Sequence, residues 1–156
     1  HSTFIDEAAA RAMKANGTVL VPTLMAFKGV SEGLGKGVYT PVVEEKIRAV
    51  YDQAQVFMGQ AYRWGVPIAF GTDAGVFAHG RNAEEFALMR AQGMSDREAL
   101  ASATTIAAQV LDMEGEIGRL AEGYSADIIA VDGNPLEDVS VLENVDFVMV
   151  RGRVIE

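Results

Sequence analysis

The sequence predicts an α/β fold: parallel strands separated by helices, with a small β segment at the carboxyl end. Three observations predict it. Two short apolar runs, "TVLVPTL" (18–24) and "VPIAF" (66–70), have the length and β-branched content of strands buried on both faces. Helical patterns with their own start and stop signals lie before, between and after these runs. Past Gly115 the texture changes to "ADIIAVD", the turn "DGNP" and the hairpin-like "VDFVMVRGRVIE", turning near Gly152.

In chain order, Asp6 is placed to cap a first helix, with Glu7 in its first turn, and Asn16-Gly17 ends it. Pro22 belongs at the end of the first strand, because proline cannot donate to a ladder. The glycine-rich stretch 25–40 reads as an irregular loop, either a mobile flap beside a site or a surface excursion. It is not a phosphate loop: Lys36 is followed by Gly37, and Val30 stands where that motif needs glycine. Thr40-Pro41 opens the longest helix, whose stripe of Ile47, Val50, Tyr51, Ala54, Phe57, Met58 and Ala61 predicts core packing. Gly65 ends it before the second strand. Asn82 with Glu85, and Ser95 with Glu98, read as capping boxes of two further helices. Thr104 or Thr105 starts a last helix, ending near Gly115. The predicted division is residues 1–115 for the α/β body and 116–156 for the β segment.

Composition narrows the function. The 156 residues can bury a core of one domain, and 49% are apolar. A net charge of −9 argues against nucleic acid as a partner. No apolar run approaches the length of a membrane span. With no cysteine, thiolate zinc sites and disulfides are excluded.

The candidate site lies in "IAFGTDAGVFAHG" (68–80). Parallel α/β sheets gather their chemistry at the carboxyl ends of strands, and Asp73 falls just past such an end. Gly71 would let the backbone turn there. A plain turn, with Asp73 bonding its own backbone, is the competing reading. Asp73 could otherwise cap a helix, act as a general base or bind a divalent ion together with imidazoles. The chain has two histidines, His1 and His79, so a set of three ligands is incomplete from these residues alone.

Taken in order, "GTDAG", the His-Gly of His79, Asn82 with Glu85, and "EIGRLAEGYSADIIAVDGNPLED" resemble the amidohydrolase superfamily, in its imidazolonepropionase-like and Xaa-Pro dipeptidase-like branch. The pattern of Gly118, Leu120, Gly123, Ala126 and Asp127 resembles that superfamily's entry into its small β-sandwich domain. The resemblance covers nearly the whole chain. It implies the C-terminal part of a metal-dependent (β/α)₈ TIM barrel, about its last two strands with their helices, plus part of the β-sandwich. It implies one or two divalent metals, Zn²⁺ first, and hydrolysis of an amide C–N bond in a small molecule or dipeptide. His1 then resembles a metal ligand, Asp73 a metal ligand and the catalytic base, and His79 a substrate contact. The family's amino-terminal histidine pair, bridging lysine and further histidine have no counterpart here. The expectation is a piece lacking the N-terminal portion of the same protein, inactive and prone to self-association by itself, with homo-oligomers open. A non-catalytic scaffold remains the alternative, as does the same barrel acting as a deacetylase, cyclic-amide hydrolase or lactonase.

Overall fold

The computed structural model describes residues 1–155; the final residue of the predicted hairpin, Glu156, lies outside them. Helix α1 (Glu7–Ala15) begins where predicted, with the Asp6 carboxylate accepting from the Ala9 N–H at 2.7 Å. The two apolar runs do lie side by side and parallel, but they meet in a single bridge between Leu20 and Ile68 rather than as long strands. Two backbone bonds of 2.9 Å carry it, Leu20 N–H to Pro67 and Ala69 N–H to Leu20. The backbone nitrogen of His1 donates to Val21 on the other side at 3.0 Å.

Gly71 owes its place to a close approach. Its φ is not positive, and the left-handed residue of the turn is Asp73, at φ 54°. A Cβ on Gly71 would stand 2.4 Å from Cγ1 of Val21 in the neighbouring segment. Valine is stiff about χ1 and cannot easily retreat. Gly71→Ala is therefore expected to destabilise the protein by about 1–3 kcal/mol in a denaturant titration.

The first half of the predicted loop 25–40 is helix: α2 spans Leu24–Glu32. Its start is invisible locally because its cap comes from a distant residue, described below. Gly29 sits inside it because a Cβ there would approach Cβ of Phe77 to 2.8 Å. The longest predicted helix divides into α3 (Pro41–Ala54) and α4 (Phe57–Arg63). Pro41 occupies the first turn as expected, but the Thr40 side chain makes no cap bond. Phe57, Met58 and Ala61 enter the core with Ile5, Ala10, Leu20, Leu24, Val66, Ile68, Met89 and Met94. The forward half of the stripe does not: Ile47 and Val50 are half-buried and Tyr51 is exposed, so these residues face a cleft.

Helix α5 (Glu84–Ala91) starts at Ala83 without a side-chain cap, so the predicted pairing of Asn82 with Glu85 does not form. Helix α6 (Asp96–Ala103) has the predicted box, with Ser95 and Glu98 bonded in both directions. Ser95→Ala is expected to cost about 1 kcal/mol, read as a lowered melting temperature. Helix α7 (Thr105–Val110) follows. The β segment is an antiparallel sheet of β1 (Ile128–Val131), β2 (Val145–Val150) and β3 (Arg153–Ile155), in that order. Its β2–β3 turn has φ 49° at Arg151 and 76° at Gly152, the pair of positive values that a two-residue hairpin favours. Asp127 accepts from the Arg151 N–H at 2.8 Å, which holds its carboxyl below the usual range. Between β1 and β2, Val139 and Leu142 pack against Phe86 and Ala99, tying the segment to α5 and α6. Among the described residues, no helix is long and apolar enough to cross a membrane.

Candidate functional site

Three segments converge at the carboxyl end of the parallel pair. His1 opens the first, Thr23 ends the second, and Asp73 follows the third. The His1 Nδ1 lies 2.5 Å from Oγ1 of Thr23, and its Nε2 lies 3.6 Å from Oδ2 of Asp73. Both side chains are about half exposed, at 56% and 50%. The ring of Phe27 meets the His1 ring edge-on, with centroids 6.2 Å apart.

The tautomer follows from a hydrogen-bond count. A threonine hydroxyl has one proton to give. Thr23 gives it to the carbonyl of Pro22 at 2.7 Å. Its oxygen must then accept from His1, so the imidazole proton is on Nδ1 and the lone pair is on Nε2. That lone pair faces a carboxylate oxygen. A cation placed between these two electron-rich atoms, either a proton on Nε2 or a metal ion, would be attracted by both. Two ligands of one tetrahedral ion bound at about 2.0–2.1 Å lie about 3.3 Å apart, close to the separation here. The donor set therefore fits one edge of a metal shell. Among the described residues, no group of three or more His, Cys, Asp or Glu converges to complete it.

Two of the four left-handed non-glycine residues among the described residues lie at the same place. Thr23 (φ 55°) and Asp73 (φ 54°) are both left-handed without being glycine. Each such residue costs on the order of 1–3 kcal/mol and persists where the surroundings enforce it. For the β-branched Thr23 the conformation is a true outlier.

The loop after Asp73 is tied down at both ends. The buried Thr72 hydroxyl donates to Oδ1 of Asn82 at 3.0 Å, the role Asn82 takes instead of capping. Arg81 forms a fork with Glu32 on α2, two bonds of 2.8 Å, and also binds Glu84. Glu84 is bound as well by Lys28. Arg81 and then Lys28 pull the Glu84 carboxyl down to about 2. His79 lies exposed on this loop and is not among the residues lining the cleft beside His1 and Asp73.

That cleft has a volume of about 330 Å³, with His1 and Asp73 at its polar end. Phe27, Val30, Ile47, Val50, Tyr51 and Val76 form apolar walls. The stripe read from sequence as core is thus partly the wall of this cleft. Glu85 is the other residue whose use sequence reasoning missed. Fully buried, it accepts from the N–H groups of Leu24 at 2.9 Å and Met25 at 2.7 Å. Burial pushes its carboxyl up to about 7 against the opposing pull of those two amides. Its signal in the sequence was a helix-start motif, which named the wrong helix.

The chain superimposes on a Xaa-Pro dipeptidase crystallised with methionine in its active site, with TM-score 0.94 and 43% identity, over 100% of this chain and 39% of that one. It superimposes on a prolidase in complex with N-methylphosphonate-L-proline with TM-score 0.88 and 33% identity, over 100% of this chain and 39% of that one. It is 33% identical to an ochratoxinase of Aspergillus niger over 92% of this chain and 30% of that enzyme. The chain thus spans 30% to 39% of the length of these relatives. Its mixed α/β fold matches the carboxyl-terminal part of barrel proteins of this kind. The model of the amidohydrolase family matches residues 3–155, and with the structural agreement over its whole length this chain belongs to that family.

Proposed function

We propose that this chain is the carboxyl-terminal portion of a hydrolase that cleaves an amide C–N bond, within a (β/α)₈ barrel completed by preceding polypeptide. The observation that carries the reading is the meeting of the His1 Nε2 lone pair with the Asp73 carboxylate at 3.6 Å, at the head of an apolar cleft. His1 and Asp73 would hold a divalent ion, Zn²⁺ by the chemistry of an imidazole–carboxylate set. When bound, such an ion makes hydroxide available near neutral pH. Asp73 takes the proton of the attacking water and returns it to the leaving amine. The apolar cleft seats a nonpolar side chain of the substrate beside the scissile amide. The names of the similar enzymes, a dipeptidase, a prolidase and an ochratoxinase, support a small amide or dipeptide as substrate.

The domain division proposed is 1–115 for the barrel portion and 116–156 for the sandwich portion. The full-length protein is expected to bind divalent metal in elemental analysis and to hydrolyse dipeptides or N-acyl amino acids with a nonpolar residue. Removal of the ion by chelation should stop turnover, and adding Zn²⁺ back should restore it. Metal-free, inactive full-length protein would instead support the scaffold alternative. The isolated 156-residue chain is expected to hydrolyse none of these compounds. His79 is assigned to substrate contact from its loop. His79→Ala is expected to raise KM more than it lowers kcat; unchanged kinetics would remove it from the site.

A further inference from the structure

The buried Glu85 stands outside the chemistry just described. We propose that Glu85 is a positioning residue for His1: by holding the N–H groups of Leu24 and Met25, it keeps Thr23 left-handed and so orients the His1 ring toward Asp73. The inference rests on the functional reading above for its catalytic meaning, though the contacts stand without it.

The argument turns on which residue caps α2. The first N–H groups of a helix need acceptors from outside it. Threonine directly before a helix ordinarily supplies one from its own hydroxyl, with an extended backbone. Thr23 stands at that position but does not do so. Its backbone is left-handed, at φ 55° and ψ 50°, and its hydroxyl is spent on Pro22 and His1. Glu85, 60 and 61 residues away along the chain, caps the helix in its place with both carboxylate oxygens.

Two costly features, a strained threonine and a buried carboxyl, therefore replace one cheap local cap. Stability alone would favour the cheap one. What the expensive arrangement gains is a hydroxyl free to fix the His1 tautomer. A residue that holds the second nitrogen of a ligating histidine settles which nitrogen faces the ion. With Glu85 gone, Leu24 and Met25 would lose their acceptor, Thr23 could relax to its ordinary capping geometry, and its hydroxyl would leave His1. Phe27, one turn into α2, would shift with it against the His1 ring. The charged groups near the α2–α5 contact, Lys28, Arg81, Glu32 and Glu84, are engaged with one another and leave Glu85 to the amides.

The test uses full-length protein with ¹⁵N-labelled histidine. The metal-free form is observed by NMR at alkaline pH, where the ring is neutral, and the His1 signals are assigned by their loss in His1→Gln. Wild type is expected to show His1 in one form, with the proton on Nδ1. Glu85→Gln keeps the shape but turns an NH₂ group toward one of the two amides. It is expected to mix in the Nε2–H tautomer and to lower kcat about tenfold with KM unchanged. Thr23→Val should give the same mixture, and Thr23→Ser should restore the single form. Glu85→Asp, too short to reach both amides, serves should Glu85→Gln fail to fold, and the same mixture is expected. A lower melting temperature with a wild-type His1 spectrum and kcat would make Glu85 a structural cap only and overturn the proposal. Because the tautomer is read without metal or turnover, an inactive full-length protein would reject the hydrolase reading and leave this coupling measurable.

Discussion

Asp73→Asn in the full-length protein is expected to lower turnover by about 10³-fold while the melting temperature stays near that of wild type. The magnitude is what removal of a positioned general base costs, about 10²–10⁴-fold. The fold should survive because asparagine has the same shape and is among the residues that tolerate a left-handed backbone, which Asp73 adopts at φ 54°. Alanine would be a poorer probe, since it would mix lost chemistry with backbone strain. The amide of asparagine can still offer an oxygen toward a cation, so metal content should fall less than turnover. Elemental analysis beside steady-state kinetics separates the two effects. Asparagine with full activity would remove Asp73 from the role of base and return the Gly-Thr-Asp stretch to a plain turn.

Stability of the protein should fall as pH rises from about 4.5 toward 7, with Glu85 responsible. Its carboxyl is raised from 4.5 to about 7 in the folded state, and burial is the leading cause. The sign follows directly. Between those values the folded state holds a proton that the unfolded state has released. Raising the pH therefore favours unfolding. The effect is absent below the unfolded value and complete above the folded one, and amounts to on the order of 3 kcal/mol across the window. Glu85→Gln, which cannot ionise, is expected to flatten that part of the profile in urea titrations at several pH values. The wild-type slope persisting in Glu85→Gln would assign it to another group. Glu84 next door works oppositely. Its carboxyl is lowered to about 2 by Arg81 and Lys28, so its contribution is present above about 4.5 and is lost toward pH 2. The two neighbours can thus be told apart by where the profile bends.

Much of this molecule was legible from short-range chemistry. Asp6, Ser95 with Glu98, Pro41, Gly65 and the Arg151-Gly152 turn act within a few residues of themselves, so their type and spacing announced where elements begin and end. The parallel relation of the two apolar runs followed from the helices between them, and the place of Asp73 followed from lying past a strand end. The motif order also pointed to the family before any coordinates did, and the family match bears that out.

What stayed hidden shares one physical cause: partners far apart along the chain. Helix α2 went unread because its cap arrives from Glu85, and Glu85 was read as serving its own helix. The stripe on α3 has helical spacing whether it meets core or cleft, and only the surrounding segments settle that Ile47, Val50 and Tyr51 face open space. Gly71 looked like a turn residue, whereas the side chain of Val21 across the bridge is what forbids a Cβ there. Local propensity governs hydrogen bonds that close within a turn or two of backbone. The direction of the His1 lone pair, the strain in Thr23 and the burial of Glu85 are set by packing between segments, and those came into being only when the chain folded.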